Sequence, residues 1–169
     1  FLGVRFDPNL TFVNQIKYLE DSCSKRLNIL KILSNKNWKL KKTLLVKIYI
    51  LLVRSLIDYS SILFTCLNQI NQSKLQIIQN NALRTIFHMP KWTRIKTLHD
   101  LGKIVPIKER IESLNRRFVM RGLVNNNPLL IEMIDEFLNY SAARTISYPT
   151  PLCPFKSNIQ IYLDSKKPP

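Results

Sequence analysis

A cluster of lysines in the first third of the chain has the clearest chemical meaning. Nine basic residues and no acidic residue stand between Asp21 and Asp58. Five of the lysines fall within residues 36–47: Lys36, Lys39, Lys41, Lys42 and Lys47. Lysine ammonium groups displace counterions from a nucleic-acid backbone, which is the main source of affinity that does not depend on sequence. This lysine cluster therefore predicts phosphate contact, with a solvated helix start as the alternative.

Aromatic and polar side chains near these lysines extend the candidate site. Trp38 lies inside the lysine cluster, and its ring is the best candidate in the chain for stacking on a base. Further on, Gln76, Asn80, Arg84 and His88 recur every four residues and so share one face of a predicted helix. We expect Gln76 and Asn80 to be exposed on that face. Arg84 either contacts nucleic acid or bridges two helices.

The overall charge points to a polyanionic partner. The chain carries 26 Lys and Arg against 11 Asp and Glu, a formal net charge of +15. Between Asp21 and Asp100 the only acid is Asp58, so the positive charge is concentrated in the first two-thirds of the chain. Such an excess favours RNA, DNA or an anionic membrane surface. The membrane surface is the weaker alternative because the basic helices lack a wide apolar face.

Residues that usually perform catalysis or hold metals are scattered along the chain. Neither His88 nor His99 has the partner and pocket that a general base needs. Acids that are neighbours in sequence point about 100° apart on a helix and do not converge on a metal. Two such pairs occur: Glu20 with Asp21, and Asp135 with Glu136. We therefore expect no catalytic residue, no metal site, no cofactor and no small-molecule substrate.

Cysteine usage and hydropathy indicate the compartment. Cys23, Cys66 and Cys153 are far apart and odd in number, which argues against a disulfide framework and for a reducing, intracellular compartment, nucleus or cytoplasm. The most apolar run, residues 43–67, is interrupted by Lys47, Arg54 and Asp58. It therefore lacks the uninterrupted span of about 18 apolar residues that a membrane helix needs, and we expect no membrane partner.

Hydrophobic periodicity predicts the elements that must position these residues. The chain contains only 3 Gly, and apolar residues recur at helical spacing, so we expect an all-α or nearly all-α fold. A short strand is predicted over residues 1–6. Five or six helices should follow: 12–34, 40–66, from Asn71 or Ser73 to about 88, 93–101, 106–124 and 128–138. The predicted domains are a remnant strand and turn at 1–11, a helical domain at 12–138 and a Pro-rich irregular tail at 139–169.

Finer features follow from the same pattern. Thr11 should cap the first helix, and Gly102 should end the fourth as its C′ residue. The second helix is apolar nearly all round, with a thin polar stripe, so it should be the most buried. The core stripe of the fifth helix is predicted as Ile107, Ile111, Leu114 and Phe118.

Three segments in series carry a resemblance. The first runs Phe1-Leu2-Gly3-Val4-Arg5-Phe6-Asp7-Pro8-Asn9-Leu10-Thr11-Phe12, and the second runs Leu75-Gln76-Ile77-Ile78-Gln79-Asn80-Asn81-Ala82-Leu83-Arg84-Thr85-Ile86. The third comprises Ile95, Leu98-His99 and Val105-Pro106-Ile107. In order and spacing these segments resemble the region after the palm in reverse transcriptases of non-LTR, LINE-type retrotransposons, the jockey-like group in particular.

This resemblance implies a role in holding nucleic acid. Phe1, Leu2 and Gly3 resemble the primer grip, and the helices after them resemble the thumb and connector that hold the template–primer duplex of RNA and DNA. The family's polymerase aspartates lie in a Tyr-x-Asp-Asp turn, which this chain lacks. They and Mg²⁺ belong to the palm, which would be the protein partner. We expect a fragment that does not polymerise on its own.

Two other functions stay open at this point. The chain could be a structural helical domain that binds a protein partner, or the relic of a transposable element without a selected function. Loss of nucleic-acid affinity on mutation of the lysine cluster would distinguish binding from the structural alternative.

Overall fold

Six helices build the part of the chain that the computed structural model describes, namely residues 3–9, 11–67, 69–143, 152 and 159. The first two are α1 (Val13–Leu33) and α2 (42–59). The others are α3 (Gln69–Phe87), α4 (Ile95–Gly102), α5 (Ile107–Val124) and α6 (Pro128–Ala143). Short 3-10 turns, Lys36–Trp38 and Ser61–Cys66, flank α2. The predicted all-α class is confirmed.

A π-helical turn interrupts α2. The rod is α-helical over Lys42–Tyr49, π-helical over Ile50–Arg54 and α-helical again over Ser55–Tyr59. Arg26 of α1 donates to the carbonyl oxygen of Leu52 at 2.7 Å, so a side chain satisfies a backbone group of the widened turn. This hydrogen bond therefore joins α1 to α2 at the π-helical turn.

The N-terminal segment differs from its prediction. Residues 3–6 form a turn and irregular chain instead of a strand, while Phe1 and Leu2 lie outside the described residues. A strand needs a neighbour for its backbone groups, and in the described chain this segment packs on α1 instead. The Arg5 N–H donates to Gln15 Oε1 at 3.0 Å, and the Arg5 guanidinium lies 4.4 Å from the centre of the Tyr18 ring.

Thr11 does not cap the first helix, because its hydroxyl donates to Asp7 at 3.1 Å and no side chain of the described residues bonds to the first turn of α1. The Asp7 carboxylate accepts from the backbone N–H groups of Thr11 at 2.8 Å and Phe12 at 2.6 Å. These hydrogen bonds, led by that from the Thr11 backbone, lower the pKa of Asp7. Phe12 at the helix start adopts a left-handed conformation with φ 56°. Asp7 thus orders the turn that precedes α1.

Helices α1 and α3 run parallel, and α2 runs antiparallel to both. Lys74, early in α3, pairs with Glu20 of α1 at 3.9 Å. The Lys42 ammonium, at the start of α2, lies 2.5 Å from the Ile86 carbonyl oxygen at the end of α3. Midway, the Tyr49 hydroxyl donates to Gln79 at 3.1 Å. The end of α1, the start of α2 and the end of α3 therefore share one end of the bundle.

Helix α3, and not α2, is the most buried helix. Eight of its side chains are buried, among them Leu75, Ile78, Ala82 and Ile86, because α3 packs against α1, α2, α4 and α5. By contrast α2 buries Leu45, Tyr49, Val53 and Ile57 and leaves other apolar side chains exposed; Leu51 is 71% exposed. Apolar composition alone did not identify the central helix.

The polar stripe of α2 turns inward over its second half. Asp58 accepts from the Arg110 guanidinium of α5 at 2.9 Å and lies 3.8 Å from Arg54, four residues earlier on α2. Just beyond α2, the Ser61 hydroxyl donates to Asn115 of α5 at 3.3 Å. These contacts hold α5 against the bundle, so this part of the stripe is a helix interface.

The buried face of α5 is shifted from its prediction. Ile107 and Ile111 are buried as expected, but the face continues through Asn115, Val119 and Leu123. Leu114 is half-buried, and Phe118 is 61% exposed. The buried residues of α5 are spaced four apart, whereas the predicted spacings were three and four. This difference arises because α6 packs beside the second half of α5.

Gly102 has a different role from the one predicted. It is the last residue of α4, and Lys103 takes the left-handed conformation with φ 49°. A Cβ atom on Gly102 would lie 2.9 Å from Leu83 Cδ2. The glycine therefore permits close approach of α4 to α3.

The last helix runs further than predicted. Helix α6 continues to Ala143, five residues beyond the expected end at Leu138. Of the chain after residue 143, the structure describes Leu152 and Ile159, which are buried in a small cluster with Val119, Leu123 and Ile134. Most of the predicted tail lies outside the described residues.

Candidate nucleic-acid interface

Two connections meet at the end of the bundle where α1 ends, α2 begins and α3 ends. One comprises residues 34–41, and the other comprises residues 88–94 after α3. Neither contains an acidic residue. We call this region the basic end, and its members are Lys36, Trp38, Lys39, Lys41, Lys42, Arg84, Lys91, Trp92 and Arg94.

The first connection holds most of the lysine cluster in a tight turn. The Asn35 side chain accepts from the Asn37 N–H at 3.0 Å and caps the 3-10 helix that contains Lys36 and Trp38. Lys39 then adopts a left-handed conformation with φ 49°, and its N–H donates to the Lys36 carbonyl at 3.2 Å. These lysines, Trp38 and Lys41 are exposed. The backbone is ordered by local bonds while the charged groups stay accessible.

Lys42 and Lys47 behave differently from the other members of the lysine cluster. The Lys42 ammonium is bonded to the Ile86 carbonyl, one of the last carbonyls of α3, where a cation also complements the helix dipole. Burial, and next the charge of Lys36, lower the pKa of Lys42. Lys47 is exposed, but it lies more than one turn further along α2. The Lys42 side chain thus helps to hold α2 against α3.

The second connection adds residues that the predicted site did not include. The Thr93 N–H donates to the Pro90 carbonyl at 3.2 Å, which closes a turn around Lys91 and Trp92. Lys91, Trp92 and Arg94 are all exposed. The signal was present in the sequence, because Trp92 is flanked by basic residues much as Trp38 is. Their approach to the first connection depends on the antiparallel packing of α2 and α3.

Of the remaining predicted site residues, Arg84 lies at the edge of the basic end, and the primer-grip-like residues do not belong to it. Arg84 is half-buried one turn before the end of α3, and its Nε is buried without a hydrogen bond within the described residues. Gly3 is exposed in a turn with φ 77°, near the start of α1. A helix of 21 residues is about 30 Å long, so α1 separates Gly3 from the basic end. Phe1 and Leu2 lie outside the described residues.

A buried polar network occupies the junction of α3, α4 and α5. Its side chains come from Gln76, Gln79, Asn80 and His99. Gln76 Oε1 accepts from the Ile107 N–H at 2.9 Å, and Gln79 Nε2 donates to the Val105 carbonyl at 2.9 Å. The expectation that Gln76 and Asn80 are exposed is wrong: Asn80 is buried and Gln76 is half-buried. Partners from α4 and the start of α5, remote in sequence, satisfy these amides.

The hydrogen bonds of the network orient the His99 ring. Nδ1 lies 2.9 Å from the Ile104 carbonyl oxygen, which can only accept, so Nδ1 carries a hydrogen. Nε2 then accepts from the Gln76 amide, 3.1 Å away, whose second hydrogen bonds to Asn80. His99 is only 8% exposed. Both ring nitrogens are engaged inside the protein, as expected for a histidine that packs between short helices.

The polar residues of the resembling segments therefore meet in space. Gln76, Gln79 and Asn80 belong to the second segment, and His99 belongs to the third. Their shared contacts with residues 104–107 hold the turn between α4 and α5. These segments stabilise the fold at a point distinct from the basic end.

Among the described residues, no group of three His, Cys, Asp or Glu side chains lies close enough together to hold a metal ion. No described helix is both long and apolar enough to cross a membrane.

Comparison with known proteins gives one informative similarity. The chain is 28% identical over 120 residues to a probable RNA-directed DNA polymerase from transposon BS of Drosophila melanogaster. The match covers 70% of this chain and 13% of that polymerase. No family model and no solved structure matches the chain. The similarity supports a relationship between this chain and the reverse transcriptases of retrotransposons.

Proposed function

We propose that the chain binds nucleic acid through the basic end, as the template–primer-binding part of a retrotransposon RNA-directed DNA polymerase. One observation carries the proposal: two connections far apart in sequence bring exposed lysines, an arginine and two tryptophans to one end of the bundle. Neither connection contributes an acid. The phosphates of RNA and DNA complement such a surface.

The same proposal places the chain within the parent enzyme. The order of the three resembling segments corresponds to the region after the palm of a jockey-like element, which forms the thumb and connector. Polymerisation then requires the palm, whose aspartates hold Mg²⁺, and the palm is the protein partner. The described residues of this chain offer no metal-binding cluster of their own. We place this activity in the nucleus or cytoplasm.

The test is binding, across a salt series, to a labelled RNA–DNA duplex that carries a single-stranded extension. We compare the chain with a variant that carries Lys36→Gln, Lys39→Gln and Lys41→Gln. The affinity of the variant should fall about tenfold or more at ~0.1 M salt, and its log–log salt slope should drop by roughly 2 to 3, because up to three phosphate contacts are lost. Urea unfolding should show stability within about 0.5 kcal/mol, since all three side chains are exposed.

A matched control distinguishes the effect of the basic end on binding from the effect of overall net charge. Arg116, Arg117 and Arg121 are exposed on α5, beyond Asn115, which contacts Ser61 past the far end of α2. Their replacement by Gln removes the same charge and should leave most of the affinity. Equal losses in both variants, or no binding by the folded chain at ~50 mM salt, would defeat the proposal.

A second candidate function is a structural domain that binds a protein. The observation that favours it is the outer face of α2, where Leu44 and Leu51 are exposed. Unchanged nucleic-acid affinity in the triple lysine variant would favour this candidate, since its surface does not include the lysines.

A further inference from the structure

We infer that the basic end takes unpaired bases, with Trp92 and Trp38 as stacking platforms and the neighbouring basic side chains on the phosphates. This inference rests on the proposed function and names the part of the substrate that this end contacts. The occupant is a single-stranded segment of RNA or DNA next to the duplex, not the duplex itself.

Both tryptophan side chains are exposed to solvent. Trp92 is 85% exposed and Trp38 is 57% exposed. A tryptophan side chain is among the largest apolar groups available, and burying it is strongly favourable. Neither belongs to the buried clusters of the described residues. Because they contribute little to the core, their ring faces are available to a partner.

Basic residues flank each tryptophan in the sequence. Trp38 is preceded by Lys36 and followed by Lys39, and Trp92 is preceded by Lys91 and followed by Arg94. Each indole thus has a cation next to it and another two residues away on the opposite side. A single strand alternates bases and phosphates along its backbone. Positive groups around an aromatic ring match that alternation.

Paired and unpaired bases differ in how accessible their faces are to an indole ring. Within a duplex the face of each base is covered by its neighbours, and only base edges are accessible in the grooves. An exposed indole can therefore stack inside a duplex only by separating bases, which costs free energy. Unpaired bases offer their faces without that cost, and every base has such a face. The surface consequently favours a strand without sequence preference.

The binding experiment uses the full chain with three ligands. They are a single-stranded RNA, a blunt RNA–DNA duplex and the same duplex with a single-stranded extension. Trp92→Ala should weaken binding to the first and third ligands by about 5- to 100-fold, the range for loss of one base stack. The salt slope should stay unchanged because no phosphate contact is removed. Phe118→Ala, which removes an exposed aromatic from α5, is the matched control and should have no effect.

Fluorescence reports on each ring separately. The chain contains 2 tryptophans, so Trp38→Phe leaves Trp92 as the only indole, and Trp92→Phe leaves Trp38. Stacking on a base should quench the remaining indole when single-stranded RNA is added. The blunt duplex should quench less at equal occupancy.

The outcomes separate this inference from the proposed function. Lost binding in the triple lysine variant, together with unaltered binding and no quenching in the tryptophan variants, would overturn the inference and leave the proposed function standing. Blunt duplex bound as tightly as the single strand would also overturn it. No binding of any ligand by the folded chain would defeat both.

Discussion

The polar network and the basic end both depend on polar side chains, but they use them in opposite ways. In the network the amides and the imidazole bond to one another and to the backbone around residues 104–107. At the basic end most charged groups are exposed, whereas the Lys42 ammonium bonds to the end of α3. The residues resembling a reverse transcriptase segment thus include many that hold the fold. The surface offered to a partner lies elsewhere.

The largest effect is expected from breaking the network. His99→Ala removes the donor to the Ile104 carbonyl and the acceptor for the Gln76 amide, and it leaves a cavity. Each buried polar group left unsatisfied costs about 1–3 kcal/mol, so unfolding free energy should fall by roughly 2–4 kcal/mol. Urea unfolding followed by circular dichroism measures this loss.

A second histidine provides the control for that measurement. His88 is exposed and takes a left-handed conformation with φ 54°, which asparagine tolerates. His88→Asn should therefore change stability by less than about 0.5 kcal/mol. Equal stabilities of the His99 and His88 variants would remove the distinction between the network and the surface.

An intermediate effect is expected at Tyr49, which links α2 to the network. Burial raises the pKa of Tyr49 above its usual value of 10.0. The folded state therefore keeps the proton when the unfolded chain loses it, so this contribution to stability is present below pH 10 and is lost as pH rises above it. Tyr49→Phe should cost about 1 kcal/mol at neutral pH, because Gln79 loses a donor.

Unfolding curves at several alkaline pH values test this expectation. Above about pH 10 the wild-type chain should lose stability faster than Tyr49→Phe, so that the two curves converge. Tyr59→Phe, which alters an exposed tyrosine of the same helix, should run parallel to the wild type. Parallel curves for both variants would contradict the role given to the buried hydroxyl.

An effect no larger than that at Tyr49 is expected at Lys42, which differs from the exposed lysines of the basic end. Lys42 belongs to the lysine cluster but is bonded to the end of α3. Lys42→Met keeps an unbranched apolar side chain without the ammonium group and should cost about 1 kcal/mol of stability through the lost hydrogen bond. Lys41→Met should leave stability unchanged and weaken nucleic-acid binding more. If Lys42→Met weakened binding as much as Lys41→Met, Lys42 would contribute to nucleic-acid binding in the same way as the exposed lysines.

Local sequence predicted much of the helical outline, because its signals are local. The first helix was predicted over 12–34 and is Val13–Leu33, and the fifth begins at Ile107, directly after Pro106, as the fixed φ of proline indicates. The lysine cluster was predicted to contact phosphates or to form a solvated helix start, and Lys36, Lys39 and Lys41 are exposed. Their contact with nucleic acid stays a prediction.

The helices, the charge and the order of the segments could be read from the sequence, since hydrophobic period and composition act over a few residues. Which helix faces are covered depends on tertiary packing: Gln76 and Asn80 turn inward, and Phe118 turns outward. Tertiary packing also decides that Trp92 shares an end of the bundle with Trp38. Helical periodicity fixes which residues share a face, but burial depends on partners remote in sequence, and these come together only when the helices pack.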